Sequence, residues 1–324
     1  MPMPDRITRL APSPTGALHL GNARTFLINW LLARQNGWRV LLRIEDLDGP
    51  RVKQNADAEL IDDLRWLGID WDEGPMYQST RAEAYTAACD RLLKQNDAYA
   101  CVCTRKEISL AASAPHAEDG AAVYPGTCHG RFSSLDAARA FLGNDKTREP
   151  AIRLRVPEGP IGFTDTFAGD QHWNDPANQL GDFVIRKNDG LAAYQLAVVV
   201  DDAEAGVTDV VRGDDLIDST PRQIMLYRAL GLADRIPRYT HLPLVVGTDG
   251  RRLAKRHGDT RIATFKANGA KPTNVLRLLA RWCGMDQNID AISARDLLDG
   301  FDILKVSKEQ IVFTEEDREK LSRR

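Results

Sequence analysis

His19 and Asn22 close the run from Arg9 to Asn22, RLAPSPTGALHLGN, where an imidazole and an amide meet the start of a helical pattern. A short apolar stretch, Ile7 to Leu10, leads into this Pro/Gly-punctuated loop. The helix is then read through Ala23, Phe26, Leu27, Trp30 and Leu31 and closed by Gly37. Strand, glycine-bearing loop and helix N-terminus, in that order, offer backbone N–H groups and a positive dipole end to a phosphate. The spacing fits neither G-x-x-x-x-G-K-[ST] nor G-x-G-x-x-G, so the P-loop and dinucleotide fingerprints are excluded.

Other residues with chemistry recur down the chain. Glu45 and Asp46 follow the apolar run Trp38–Ile44, and carboxylates at the end of a buried parallel strand point into the crevice where open α/β sheets bind ligands. A second pair, Asp201 and Asp202, ends the long apolar run from Leu191, which reads as a strand. Arg212 and Gly213 lie just beyond. A basic loop, Arg251 to Gly258, contains Lys255. Of five cysteines, Cys101 and Cys103 are one residue apart, and Cys128 sits on a later turn. Three thiolates at that spacing suit a tetrahedral metal lacking one ligand, for which Tyr124 and His129 are the candidates. Cys89 and Cys283 fall in helical patterns and read as core.

The elements that must carry these groups alternate between strands and helices. Helices are read at Ala56–Leu67 and Arg81–Gln95, the second capped by Ser79 and Thr80, with Gln78–Arg81 as a loop. Residues 97–175 change to short strands and turns, the mark of an inserted domain. The main sheet is read as resuming at Asp182–Lys187, followed by a hairpin turn at Asn188–Gly190 and then by strands at Val207–Val211 and His241–Val246. A helix is read from Ser219, and the remainder as helices at Lys271–Trp282, Ala294–Leu298, Lys308–Gln310 and Glu315–Leu321. The expected division is 1–96 and 176–258 for two halves of an α/β domain, 97–175 for the insertion and 259–324 for a helical segment.

A chain of 324 residues holds two or three domains with a sizeable core. Its formal net charge of −3 argues against indiscriminate nucleic-acid binding, although a local basic face remains compatible with it. The sequence holds no apolar run of about 20 residues, and its N-terminus has no secretory pattern. A cytoplasmic protein without membrane partners is expected.

Taken in order, His19-Leu-Gly-Asn22, Arg43-Ile-Glu45-Asp46, Tyr194 through Asp201-Asp202 with Arg212-Gly213-Asp214-Asp215, and Arg252-Leu-Ala-Lys255-Arg256 resemble the motif blocks of class I glutamyl-tRNA synthetases. The first resembles the HIGH motif and the last the KMSKS loop, with Arg252 and Ala254 where the family usually carries Lys and Ser. The resemblance covers nearly the whole chain. It implies a Rossmann-like α/β catalytic domain with a zinc-bearing insertion, ATP as substrate with Mg²⁺, and activation of glutamate to glutamyl-adenylate. It further implies that His19, Gly21, Asn22 and Lys255 bind ATP, with His19, Asn22 and Lys255 catalytic. Arg9, Ala11, Ser13, Glu45, Tyr194 and Arg212 would hold glutamate: Arg9 and Arg212 its side-chain carboxylate, Glu45 its ammonium.

Cys101, Cys103, Tyr124 and Cys128 resemble the zinc knuckle of a shortened branch of the same family, which esterifies queuosine in the anticodon of tRNA(Asp). About 66 residues follow Gly258, too few for an anticodon-binding domain. The resemblance therefore implies tRNA-independent activation, transfer to queuosine-bearing tRNA(Asp), and a monomer. The alternatives are a compact synthetase charging a tRNA 3′ end and a non-catalytic glutamate- or nucleotide-binding paralogue. Arg251, Arg256, Arg261 and Lys266 are candidate phosphate contacts.

Overall fold

Apolar runs flanked by charge become the inner strands of a parallel sheet. In the computed structural model, strands β1 (Ile7–Leu10) and β2 (Arg39–Ile44) lie side by side with helix α1 (Leu20–Gln35) as their crossover. Described are residues 5–14, 16–47, 55–104, 106–108, 123–143, 148–251, 253, 260–286 and 293–322. After α2 (Ala56–Trp66) comes an edge strand, β3 (Glu73–Tyr77), parallel to β2. No strand was expected there, and it carries a Gly-Pro step. An edge position tolerates it, since the missing N–H needs no ladder partner. Residues Gln78–Arg81 form a 3₁₀ turn rather than an open loop, and α3 (Ala82–Lys94) is capped by no side chain. Ser79 binds the Asp46 carboxylate instead of capping, through its N–H (2.7 Å) and hydroxyl (2.5 Å).

The insertion opens with β4 (Ala98–Cys101) and helix α4 (Leu135–Leu142). Strands β5 (Ala151–Leu154), β6 (Ile161–Asp165), β7 (Gly169–Trp173) and β8 (Phe183–Arg186) follow. Strand β8 pairs antiparallel with β5, and β5 with β4, while β6 and β7 make a separate hairpin. The expectation that the parallel sheet resumes at Asp182 is therefore corrected, and we place the end of the insertion at Arg186. Turn Asn188–Gly190 forms, with the Lys187 N–H on Leu191 O at 2.8 Å, but it does not lead into a strand. Tyr194–Glu204 is helix α5, with nearly all of it buried. Burial on every face erases both the helical and the alternating pattern, so an apolar run of this length cannot be typed by periodicity.

The sheet itself continues with β9 (Asp209–Gly213), α6 (Ser219–Ala229) and β10 (Arg238–Leu242), giving five parallel strands in the order β10-β9-β1-β2-β3. Neighbours on one strand, Val210 and Val211, fall into different apolar clusters, as the pleat requires of a sheet covered on both faces. Beyond it, β11 (Val245–Val246) pairs with β12 (Ile311–Val312); α7 (Ile262–Ala267) packs against α2, α8 (Pro272–Trp282) against α1, and α9 (Glu315–Ser322) against α8. Residues 308–310 are not helical, against expectation; the 3₁₀ turn there is Ile303–Lys305.

Gly284 ends α8 with a φ of 78°, and a Cβ on it would fall 2.1 Å from the Lys305 carbonyl oxygen. Left-handed backbone and close approach both demand glycine. Gly284→Ala is expected to cost roughly 2–4 kcal/mol of stability. Urea unfolding should show this as a lower midpoint at unchanged slope.

Candidate active site

The C-terminal ends of β1, β2 and β9 and the N-terminus of α1 converge on a cavity of about 500 Å³. Arg9, Ala11, Ser13, His19, Gly21, Asn22, Glu45, Tyr194 and Arg212 all line it. Residues scattered over two hundred positions are thus brought together. Lys255, with Arg252, Ala254 and Arg256, lies outside the described residues. The flanks of that loop are described: Leu253 and Thr260 are buried, and Thr260 O accepts from the Leu20 N–H at 3.0 Å. Ile262 N–H reaches Leu18 O at 2.8 Å, and His19 and Arg261 bridge as in an antiparallel ladder. The far end of the loop therefore meets the start of α1, while at its near end the Leu253 N–H reaches Val245 O at 3.4 Å.

His19 is the N-cap of that helix. Its Nδ1 accepts from the Asn22 N–H at 3.4 Å, which leaves the ring proton on Nε2 in the neutral form. Glycine follows for a reason, since a Cβ at Gly21 would sit 3.2 Å from the imidazole. The row of open N–H groups expected here is reduced, because Leu20 is spent on Thr260 and Asn22 on His19. What this terminus keeps to offer an anion is the helix dipole, the His19 ring and the Asn22 amide. Among the described residues, the buried Asn22 Oδ1 has no hydrogen-bond partner.

Beneath the cavity floor lies a cluster of charge. Arg43, fully buried, bonds Asp202 and reaches Glu45 at 3.0 Å, with Asp201 at 4.0 Å; Arg9 Nε lies 3.5 Å from Asp202. Burial alone would lower the Arg43 pKa, yet Asp202, Glu45 and Asp201 raise it. Asp202 is held below the ordinary carboxylate value because Arg43 and Arg9 outweigh its burial. For Glu45 the balance reverses: burial wins over Arg43 and Arg9 and lifts its pKa. Asp201 accepts from Gln78 (2.7 Å), Arg81 (2.6 Å) and Tyr85 (2.9 Å). Neither Asp201 nor Asp202 lines the cavity; both stand behind it as counter-charges. They project from α5, not from a strand end.

Arg212 is different. It is 5 % exposed, and its partners are all uncharged: Nε donates to His241 Nε2 at 3.0 Å, and its terminal nitrogens to Gln223 (2.9 Å), Thr220 (2.8 Å) and Leu216 O (3.3 Å). Among the described residues it pairs with no carboxylate. A buried cation in a cavity wall with no carboxylate bonded to it can seat an anion. The acceptors His241 and Gln223 were missed in the sequence because neither belongs to a motif.

In the insertion, the sulfurs of Cys101, Cys103 and Cys128 lie within 4.8 Å of one another. The Tyr124 hydroxyl is 3.4 Å from Cys101 Sγ and 3.6 Å from Cys103 Sγ, and the Arg153 guanidinium covers its ring at 3.7 Å. His129 turns away, stacking on Tyr99 and facing Asp182 at 3.6 Å. The donor set fits a soft or borderline tetrahedral ion.

A five-stranded parallel sheet interrupted by an insertion, with a His-capped helix over the switch point and a loop returning to it, defines a class I aminoacyl-tRNA synthetase catalytic domain. The chain belongs to the family described as tRNA synthetases class I (E and Q), catalytic domain, whose model matches residues 7–321. It is 46% identical over 313 residues to a glutamyl-Q tRNA(Asp) synthetase of Symbiobacterium thermophilum, covering 94% of each chain. A glutamate–tRNA ligase of Geobacter sulfurreducens is 41% identical, with 96% of this chain and 64% of that one covered. Among solved structures, a glutamate tRNA ligase of Elizabethkingia meningosepticum in complex with its amino acid matches with a TM-score of 0.79 at 29% identity, over 97% of this chain and 68% of that one. No helix among the described residues is long and apolar enough to cross a membrane.

The charge cluster makes a test of its own. Arg43→Met leaves Asp202 and Glu45 buried without their main counter-charge, an expected loss of about 3–5 kcal/mol at neutral pH. In wild type the depressed Asp202 pKa contributes stability above the unfolded carboxylate value, lost as pH falls through the folded one. In the variant those carboxylates have more to gain from protons, so its deficit should shrink toward about pH 5. Chemical denaturation across that range checks both the size and the sign.

Proposed function

We propose that this chain activates glutamate with ATP, without tRNA, and transfers it to queuosine in the anticodon of tRNA(Asp). The observation that carries the reading is that Arg212, a buried cation bonded to neutral partners only, and Glu45 line one cavity. Arg212 and Arg9 receive the substrate's side-chain carboxylate, Tyr194 adds a donor, and Glu45 takes the ammonium, with Ala11 and Ser13 shaping the seat. A neutral amide in place of that carboxylate leaves Arg212 uncompensated, so glutamine is refused.

The substrate's α-carboxylate attacks the α-phosphorus of ATP, the bond to the β-phosphate breaks, and pyrophosphate leaves. The Nε2–H of His19 and the Asn22 amide hold the phosphates at the α1 N-terminus. Lys255 meets the charge that builds on the leaving pyrophosphate. Mg²⁺ accompanies ATP and shares that charge. A hydroxyl of the cyclopentene-diol of queuosine then takes the acyl group, losing its proton as AMP departs. The acceptor assignment is supported by the relatives named for that tRNA, which this chain matches along 94% of their length in the Symbiobacterium case. The reading of a compact ligase charging a 3′ end is favoured by the 41% identity to the Geobacter enzyme. Zn²⁺ is assigned to Cys101, Cys103, Tyr124 and Cys128 as a structural ion, because four protein ligands leave no open position.

Glutamate-dependent ATP–pyrophosphate exchange is expected without tRNA, and Lys255→Ala should lower its rate at least about a hundredfold while glutamate binding holds. Labelled glutamate should appear in the anticodon fragment after nuclease mapping of tRNA(Asp), and only when queuosine is present. Label confined to the 3′-terminal adenosine assigns the chain to the ligase reading, and no exchange at all removes catalysis. Metal analysis should find one zinc per chain in native protein and none in Cys101→Ser.

A further inference from the structure

We propose that His241, fixed by Asp165, aims Arg212 at the substrate, so that the insertion sets amino-acid selection in the distant catalytic half. The proposal rests on the reading of Arg212 as the seat of the substrate's side-chain carboxylate. Asp165 closes β6 in the insertion and His241 lies on β10, and both side chains are fully buried. The His241 backbone N–H lies 3.1 Å from both Asp165 carboxylate oxygens, and one of the two accepts the N–H groups of Phe167 (2.9 Å) and Ala168 (2.8 Å). The other lies 2.6 Å from His241 Nδ1. On the far side of the ring, Nε2 is 3.0 Å from Arg212 Nε.

A guanidinium nitrogen only donates, so Nε2 must accept and the ring proton must sit on Nδ1, against Asp165. The imidazole is therefore neutral and of one tautomer. Its surroundings agree. The charged and titratable groups against it are Asp165, Arg212, Arg9 and Tyr239; burial and the two arginines lower its pKa against the pull of Asp165. Neutrality is what the position needs. A carboxylate in direct contact with Arg212 would fix the guanidinium equally well but cancel the charge that draws the substrate. Histidine supplies the acceptor and keeps the negative charge of Asp165 one ring away.

The arrangement makes Asp165→Asn decisive. The Phe167 and Ala168 N–H groups, which reach one oxygen only, hold the amide oxygen in that place, so the NH₂ group faces Nδ1 and the ring proton is driven to Nε2, onto the Arg212 N–H. In tRNA-free exchange the KM for glutamate should rise about tenfold or more, with kcat at saturating glutamate and the KM for ATP nearly unchanged. Nitrogen NMR of labelled histidine should report the proton moving from Nδ1 to Nε2. His241→Leu, which offers Arg212 no acceptor, should give the same KM–kcat split if Asp165→Asn does not fold. In a His241→Gln background, where an amide oxygen replaces Nε2, adding Asp165→Asn should change the glutamate KM little. A wild-type glutamate KM in both Asp165→Asn and His241→Leu overturns the proposal, as does a parallel fall of kcat and ATP affinity. Arg212→Lys separates the layers. If it alone raises the glutamate KM, only the role of His241 fails; if it too leaves the KM unchanged, the reading of Arg212 fails with it.

Discussion

Charge buried beneath an open cavity is the constraint on which this structure depends. Arg43 has no exposure, and Asp201 and Asp202 almost none, so each ion is tolerated only while its partners stay in place. Those partners come from β1, β2, α5 and the 3₁₀ turn ahead of α3. Each element is therefore positioned by Coulomb attraction in a medium of low polarity as well as by apolar contact. The same cluster supplies contrast at the cavity wall. Arg9 is partly balanced by Asp202, whereas Arg212 is bonded only to neutral atoms, so the attraction for an anion is concentrated at one end.

The cavity lining was legible in the sequence to a degree the fold was not. Arg9, His19, Asn22, Glu45, Tyr194 and Arg212 lie on the page as motif residues and meet in one cavity. What sequence patterns misjudged was the element carrying some of them. Tyr194–Glu204 is a helix whose faces are all covered, so neither period survives in its sequence. The strand Glu73–Tyr77 hid behind a Gly-Pro step that only an edge can carry. His241 and Asp165 were invisible for another reason. Their meaning lies in a contact across 76 positions, and nothing local marks a histidine whose task is to accept a hydrogen bond.

The insertion is joined to the catalytic half by more than a polypeptide crossover. Its knuckle of Cys101, Cys103, Cys128 and Tyr124 sits at one end, around a small apolar cluster of its own. At the other end, Thr166 N–H bonds Tyr239 O at 2.9 Å and the Asp165 carboxylate binds the backbone of β10. Phe163 packs edge-on against Tyr239 as well. One domain thus contributes polar and aromatic contacts to the outermost strand of the other.

The short ladder between Leu18–Leu20 and Thr260–Ile262 has a consequence for how the protein would wear out. It fastens the start of a helix to the far end of a loop, with Leu18, Leu20 and Ile262 buried in the main apolar cluster. A seam so covered opens at a free energy close to that of the strands beneath it. Its amide protons would exchange with solvent about as slowly as those of the sheet, and heat that parts the seam would melt the domain with it.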